Sequence, residues 1–449
     1  MDRREFLRKG ALGAATLGTA ACKSKVDKIK TAVGGNEAVP SGRMPLRFNH
    51  NSGDHVSLLG YGCMRWPMIK DENGNDVIDQ EAVNELVDKA IEHGVNYFDS
   101  APVYLQGKSE EATAKALLRH PRESYYIATK LSNFGPRTLE GGIEMYRKSL
   151  KFYQTKYIDY YLLHSISDAD AFNKRYVENG LMDFLLSERK YGRIRNLGFS
   201  FHGTTEGFDS LMALHETYHW DFVQIQMNYI DWKHAGGRNC NAEYLYEKLA
   251  EYNIPVVIME PLLGGRLSSI PEPAAVLLKE REPQMSVASW AFRFNGSFPN
   301  ILTILSGMTY MEHLEDNIRT FEDFKPLKEE EFELLESVSG LIKDYPLVGC
   351  TTCNYCIPCP YGIDIPGIFT HYNRAVNDGL TVETDPESRE YKKNRRKYLT
   401  SYSKSIETIR QADHCIACGI CTDHCPQNIR IPRELRRIDS YIERLKQGE

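Results

Sequence analysis

The feature that most constrains the fold is an eightfold alternation of short apolar segments with amphipathic segments between residues 45 and 325. The apolar, β-type runs lie near 57–62, 95–99, 125–130, 157–163, 195–200, 222–228, 255–260 and 301–306. Helical spacing follows near 81–93, 108–119, 139–152, 180–191, 205–218, 241–252, 283–294 and 311–322. Eight β-then-α units predict an α/β fold, a (β/α)₈ TIM barrel, which typically takes ~250 residues. An open doubly wound sheet is the alternative, but no Gly-x-Gly-x-x-Gly turn follows the first strand to support it.

The chain continues well beyond the predicted barrel. Residues 326–344 carry Glu and Leu at helical spacing and predict a connecting helix. From 345 to 435 the composition shifts to Cys, Pro, Tyr and charged residues, which indicates a second domain, and 436–449 are predicted to be a C-terminal tail. The formal charge of −6 lacks the basic excess of nucleic-acid-binding proteins, so we expect no nucleic-acid partner.

The N-terminus is typical of a targeting segment. Residues 1–22 place paired arginines before an apolar stretch of twelve residues, too short for the ~20 that span a bilayer. This pattern resembles a twin-arginine export signal, and a disordered basic tail is the alternative. The segment ends in Thr-Ala-Ala-Cys22, which resembles a lipoprotein processing box, with simple cleavage nearby as the alternative. We therefore expect an exported protein, periplasmic or attached to the cell envelope only by a lipid at Cys22, with 23–44 as a polar linker.

Four polar side chains stand where apolar strands end. They are Asp99 after the second strand, Tyr104 in the loop that follows it, Lys130 after the third strand and His164 after the fourth. In a TIM barrel the reacting groups lie at the carboxyl ends of the strands. Each residue alone would be an ordinary rim residue, but the four together predict a site that donates a proton to a carbonyl.

The chemistry behind this prediction concerns the Tyr104 hydroxyl. A carbonyl that accepts hydride needs an acid at its oxygen, and a tyrosine with an ordinary pKa near ~10 is a poor one unless a cation lies nearby. Lys130 can supply that cation, and Asp99 can hold the ammonium in place and keep it charged. His164 can donate a hydrogen bond that orients the substrate carbonyl.

These four residues match, in order and in strand placement, the Asp-Tyr-Lys-His tetrad of the aldo-keto reductase family, which the chain resembles over about 45–325. Further blocks that resemble the family are "VSLLGYGCMRW", "RKSLKFYQTKYIDYYLLHS", "GRIRNLGFSFHG", "WDFVQIQMNYID", "VVIMEPLLGGRL" and "ILSGMTYMEHLEDN". The resemblance implies a nicotinamide cofactor, NADP or NAD, and a small carbonyl or alcohol substrate. His202, in the third block, has two open interpretations, a substrate contact or loop packing.

The cofactor contacts implied by the resemblance run from the nicotinamide to the adenine. In that order they are Ser200 and Gln224, then Pro261, Leu262 and Arg266 along the phosphates, then Ser306, Gly307, Met308, Asp316 and Asn317. Three positions depart from the family pattern. Phe201 replaces a common amide-binding Asn, Met259 replaces a common stacking aromatic, and Gly307 replaces a basic residue common in NADPH-preferring members. Without that cation a 2′-phosphate lacks its usual partner, so the sequence leaves NADP and NAD open.

Eight of the eleven cysteines fall in two motifs of the second domain. The first comprises Cys350, Cys353, Cys356 and Cys359, and the second comprises Cys415, Cys418, Cys421 and Cys425; a proline follows the last cysteine of each. Three thiolates at this spacing can bind three corners of a [4Fe–4S] cubane, and in bacterial ferredoxins the fourth ligates the partner cluster. We therefore assign Cys425 to the cluster of the first motif and Cys359 to that of the second.

The second domain departs from a compact ferredoxin in the last spacing of its first motif and in the 55 residues between the motifs. Both features resemble the helical ferredoxin-type domains attached to larger oxidoreductases, including a subgroup of aldo-keto reductases. Structural zinc and disulfides are the alternatives.

Together these patterns predict an NAD(P)H-dependent carbonyl reductase or alcohol dehydrogenase with two [4Fe–4S] clusters. The clusters would transfer electrons, with a redox partner protein, or stabilise the structure. Hydride carries two electrons and each cluster accepts one, so coupling them normally needs a group such as flavin, which the sequence does not exclude. The alternative is a redox-sensing or electron-transfer protein whose barrel binds nicotinamide without turnover.

Overall fold

The structure is a computed structural model that describes residues 43–134, 138–237, 239–381 and 385–448. The predicted export signal, Cys22 and nearly all of the predicted linker lie outside these ranges. Within them, no helix is both long enough and apolar enough to cross a membrane.

Eight parallel strands form a closed barrel, as the sequence predicts. They are β1 (Leu59–Gly62), β2 (Tyr97–Asp99), β3 (Tyr126–Leu131), β4 (Ile158–Ile166), β5 (Ile194–Phe201), β6 (Phe222–Gln226), β7 (Val256–Met259) and β8 (Ile301–Ser306). Each strand pairs in parallel with its neighbour in chain order, and β8 pairs with β1 to close the barrel. Closure rules out the open-sheet alternative. It also places all eight carboxyl strand ends at one face.

The barrel helices lie within a few residues of their predicted positions. They are α1 (Gln80–Glu92), α2 (Ser109–Leu117), α3 (Leu139–Phe152), α4 (Leu181–Lys190), α5 (Thr205–Met212), α6 (Ala242–Glu251), α7 (Val287–Gly296) and α8 (Met311–Glu322). Polar residues begin several of them: the Thr138 side chain accepts from the backbone N–H of Gly141 at the start of α3. The predicted helix over 205–218 is interrupted, because a second short helix starts at His215.

A two-stranded hairpin, Leu46–Asn49 with Asp54–Ser57, precedes the first barrel strand. Hydrogen bonds tie it to the barrel interior: the Tyr160 hydroxyl donates to Asp54 Oδ2 at 2.8 Å. Buried aromatic and aliphatic side chains, including Tyr97 and Phe222, fill the barrel, which therefore has a packed core rather than a pore.

The C-terminal region is mainly helical. It comprises α9 (Glu329–Lys343), which matches the predicted connecting helix, then α10 (Ile365–Asn377), α11 (Arg389–Ser405) and α12 (Ile431–Gln447). The predicted boundary at 435 was wrong, because α12 runs through it and buries Ile438, Ile442 and Leu445 against the other helices of this domain. Residues 436–447 therefore belong to the domain core and are not a tail.

The C-terminal domain packs on the carboxyl-end loops of the barrel, in one compact unit with it. Arg65, after β1, donates to the carbonyl of Thr351 at 2.6 Å and to the hydroxyl of Thr352 at 2.7 Å. The Thr351 backbone lies so close to Gly264 that a Cβ there would come 2.2 Å from the Thr351 carbonyl oxygen. This contact places the first cysteine motif beside the strand ends.

Candidate active site

The four predicted tetrad residues line one cavity of about 320 Å³ at the carboxyl face of the barrel. Lys130 Nζ donates to Asp99 Oδ1 at 2.5 Å and to the carbonyl of Ser100 at 2.8 Å. Burial raises the pKa of Asp99, and the Lys130 ammonium acts in the opposite direction. The pair is thus a buried ion pair in which each charge depends on the other.

Tyr104 lies over this ion pair. Lys130 Nζ is 4.9 Å from the centre of its ring, close enough for a cation–π contact. Burial raises the pKa of Tyr104 well above its ordinary value, and the negative charges of Asp99 and Glu260 add to the effect. The phenol therefore holds its proton, as a donor to a carbonyl must, and Lys130 does not outweigh the burial, contrary to the simplest sequence argument.

His164 lies beside Tyr104 with its ring nearly perpendicular, at 83° and 5.9 Å between ring centres. Burial lowers the pKa of His164 well below its ordinary value, and the Lys130 charge lowers it further, so the imidazole is neutral. The Ser132 hydroxyl lies 2.6 Å from His164 Nδ1. When the hydroxyl donates to Nδ1, the ring proton stays on Nε2, which can then donate to a substrate oxygen.

Six of the predicted cofactor contacts line the same cavity: Ser200, Gln224, Pro261, Leu262, Ser306 and Gly307. The Gln224 Oε1 atom is buried and has no hydrogen-bond partner among the described residues. A buried amide oxygen without a partner is costly, and the carboxamide N–H of a nicotinamide is a donor of the kind that it lacks. The nicotinamide end of the predicted site therefore fits the cofactor.

The other four predicted contacts do not line this cavity. Arg266 is half-buried and lines a neighbouring cavity together with Cys350 and Thr352. The Met308 side chain is buried, Asn317 Nδ2 donates to Ser306 Oγ at 2.9 Å, and Asp316 precedes it on α8. Their cofactor roles stay predictions.

Two charged side chains of the cavity were missed from the sequence. Glu260 directly follows β7 with a φ of 54°, a backbone conformation that costs a non-glycine residue energy and is most often held at functional sites. Burial raises the pKa of Glu260, and the nearby Arg65 lowers it by less. Arg65 itself packs where a side chain at Gly307 would be. Glu260 could have been predicted to line the cavity, because it is a polar residue at a strand end. The contact of the Arg65 side chain with the cavity could not be predicted from its position in the sequence.

The C-terminal domain supplies one wall of the cavity, formed by Cys353, Tyr355, Pro426 and Gln427. We call this the C-terminal wall. Gln427 Nε2 donates to Gln226 Oε1 of the barrel at 3.2 Å. Nothing in the sequence spacing could have shown that a cluster motif faces the tetrad.

Seven of the eight motif cysteines lie near members of the group to which the sequence analysis assigns them, while Cys418 and the cluster assignment itself stay predictions. Cys350, Cys353, Cys356 and Cys425 line one small cavity, and Cys421 is influenced by the charges of Cys359 and Cys415. Burial raises the pKa of Cys350 to about 11 and those of Cys353 and Cys356 to about 12. A bound metal would offset this cost, because the thiolate is the form that ligates.

Comparison with protein families gives two matches. Residues 58–339 match the aldo/keto reductase family. Residues 349–429 match the 4Fe-4S dicluster domain.

Relatives and solved structures resemble the barrel region. The chain is 24% identical over 328 residues to L-galactose dehydrogenase of Arabidopsis thaliana, covering 67% of this chain and 95% of that protein. It is 23% identical over 312 residues to an uncharacterised oxidoreductase of Bacillus subtilis, covering 63% of this chain and 92% of the relative. An aldo-keto reductase of Klebsiella pneumoniae, solved with NADPH, superimposes with a TM-score of 0.52 at 21% identity, over 66% of this chain and 95% of that one. At this identity the structural likeness shows the fold alone.

Proposed function

Because the chain belongs to the aldo/keto reductase family and carries a 4Fe-4S domain, we propose that it is an NAD(P)H-dependent oxidoreductase that interconverts a carbonyl and an alcohol. The observation that carries this proposal is the assembly of Asp99, Tyr104, Lys130 and His164 in one cavity. A bound reduced nicotinamide would supply the hydride, held by Ser200 and by the unpartnered Gln224 Oε1.

The protein side chains would do the rest. His164 Nε2 would orient the substrate carbonyl, and the protonated Tyr104 hydroxyl would give its proton to the carbonyl oxygen. The resulting phenolate would lie over the Lys130 ammonium, whose position Asp99 and the Ser100 carbonyl fix. In the direction of alcohol oxidation the Tyr104 phenolate oxygen would take the proton from the alcohol hydroxyl.

The cysteine domain, we propose, holds two [4Fe–4S] clusters. One would use Cys350, Cys353, Cys356 and Cys425 and the other Cys359, Cys415, Cys418 and Cys421, as sequence spacing and the two groupings support. Their role would be electron transfer with a redox partner protein, or structural support. Coupling to hydride chemistry would need a splitter of electron pairs such as flavin.

The proposed location is outside the cytoplasm, by the twin-arginine route, with a lipid at Cys22 as the attachment to the envelope. The support is the sequence of residues 1–22 alone. Cell fractionation of the full chain and of a variant with both arginines replaced by lysine tests it, since only the unchanged chain should leave the cytoplasm.

Replacing Tyr104 by Phe tests the catalytic assignment, because it removes the proton donor and little else. We expect kcat for a simple aldehyde to fall on the order of 10²–10⁴-fold, with nicotinamide affinity nearly unchanged. The matched control is Tyr361→Phe, which changes an exposed phenol. Tyr61→Phe is unsuitable, because the Tyr61 hydroxyl donates to the Met308 carbonyl. Retention of most activity in Tyr104→Phe would refute the assignment.

A further inference from the structure

The cavity has a polar side in addition to the tetrad. It comprises Tyr355 and Gln427 of the C-terminal wall and His202 of the barrel, and all three line the same space as Tyr104 and His164. None of these three takes part in the proton transfer described above. Their hydrogen bonds determine which atoms they can offer to a ligand.

A chain of hydrogen bonds that begins at the buried Asn228 orients the amide groups on this side of the cavity. Asn228 Oδ1 accepts from the backbone N–H groups of Ile230 and Asp231 at 3.0 and 2.9 Å, so its Nδ2 must be the donor to Asp231 Oδ2 at 2.7 Å. The same carboxylate oxygen accepts from Gln226 Nε2 at 2.7 Å. Gln226 therefore directs its oxygen away from Asp231.

That oxygen orients the next two amides. Gln226 Oε1 accepts from Asn239 Nδ2 at 3.3 Å and from Gln427 Nε2 at 3.2 Å. Gln427 Nε2 uses one of its two N–H groups in this bond, which fixes the orientation of the amide, and its Oε1 can accept a hydrogen bond from a ligand. Asn239 Oδ1 lies 3.1 Å from His202 Nδ1, so this ring nitrogen is the donor of that pair.

Tyr355 adds a hydroxyl close to the reacting centre. Tyr355 lines the same cavity as Tyr104 and His164. A phenol hydroxyl in this cavity can donate to, or accept from, a second oxygen of a substrate whose carbonyl lies at the tetrad.

We propose that Tyr355 and Gln427 are specificity-determining residues that select carbonyl substrates carrying hydroxyl groups on the carbons next to the carbonyl. This inference rests on the proposed function and names its substrate class, small polyhydroxylated aldehydes and ketones. A ligand hydroxyl can donate to Gln427 Oε1 and exchange a hydrogen bond with Tyr355. A purely apolar aldehyde of the same length would leave both groups without a partner when it expels water, which a polar site penalises strongly.

The test compares two three-carbon aldehydes, glyceraldehyde and propanal, which differ only in two hydroxyl groups. For the unchanged protein we expect a higher kcat/KM with glyceraldehyde. Tyr355→Phe and Gln427→Leu should each lower kcat/KM for glyceraldehyde by roughly 3- to 10-fold, the effect of one lost hydrogen bond, and change propanal by less than twofold. Tyr361→Phe, an exposed phenol of the same domain, should change neither.

A second measurement reports binding without turnover of a hydroxylated substrate. Glycerol should inhibit propanal reduction competitively, and each variant should raise its inhibition constant by a similar factor. Both variants lie next to cluster cysteines, so iron content must first be shown to equal that of the unchanged protein; if one variant loses iron, the other is used.

Equal losses for the two aldehydes, or no effect of the variants on glycerol inhibition, would overturn the inference. A protein that reduces neither aldehyde with NADPH or NADH would instead contradict the proposed function. Reduction of propanal at a kcat/KM equal to that of glyceraldehyde contradicts only the substrate class.

Discussion

Replacing Lys130 by Met should destabilise the barrel as well as abolish catalysis. The Lys130 and Asp99 side chains are only 1% and 3% exposed and meet at 2.5 Å. Loss of one partner of such a pair leaves an uncompensated buried charge, which costs about 3–5 kcal/mol of unfolding free energy. Lys115→Met is the control, because Lys115 is 59% exposed and pairs with Glu111 on the surface, where such pairs contribute about 0.3–0.5 kcal/mol.

The loss should depend on pH in a defined direction. Burial raises the pKa of Asp99 even with Lys130 present, so the folded state binds the Asp99 proton more tightly than the unfolded state. Stability from this group is therefore full below the unfolded pKa of ~3.9 and falls as pH rises through the folded value. Without the lysine the folded pKa rises further, so the difference between Lys130→Met and the unchanged protein should be larger at pH 7 than at pH 5.

Urea unfolding followed by tryptophan fluorescence measures the unfolding free energy of the barrel alone. All four tryptophans lie in the barrel region, at positions 66, 220, 232 and 290. Adding Asp99→Asn to Lys130→Met removes the unpaired charge and should restore most of the lost stability. A loss below about 1 kcal/mol, or a loss that Asp99→Asn leaves unchanged, would contradict a buried ion pair in which each charge stabilises the other.

Two further predictions concern the C-terminal domain. Gly264→Ala should lower the melting temperature, because its φ is +68° and the new Cβ would come 2.2 Å from the Thr351 carbonyl oxygen. The control, Gly340→Ala on α9, has no atom within 4 Å of the new Cβ and should be neutral or stabilising. Equal melting temperatures for the two variants would contradict the described contact between the barrel and the C-terminal domain. Anaerobic analysis should find about eight irons and eight sulfides per chain, from two four-iron clusters; stoichiometric zinc without sulfide would contradict the cluster assignment.

The barrel and its tetrad could be predicted because both depend on local patterns. Alternating apolar and amphipathic segments give the strand count, and a closed parallel barrel brings all the strand ends together whatever the loops do. Asp99, Lys130 and His164 stand at such ends, so their meeting follows from the fold.

Other features depend on contacts between distant residues or on unusual backbone. The bond from Arg65 to Thr352 joins positions 287 apart, and no spacing in the sequence announces it. The positive φ of Glu260 likewise could not be predicted from the sequence. The helix Glu272–Arg281 was missed because prolines near its start are also typical of loops. By contrast, the spacing of Leu435, Ile438, Ile442 and Leu445 was a visible helical signal.

Isotopic labelling tests directly whether hydride passes from nicotinamide to the substrate at the tetrad. The protein is incubated anaerobically with an aldehyde and with nicotinamide, NADPH or NADH, that carries deuterium at C4 on either face, and the alcohol is analysed by mass spectrometry. We expect one of the two labelled faces to deliver deuterium to the carbinol carbon, and we expect D₂O as solvent to deliver none. Deuterium at that carbon from D₂O alone would show that the electrons reach the substrate by another path, and would contradict a hydride site at the tetrad.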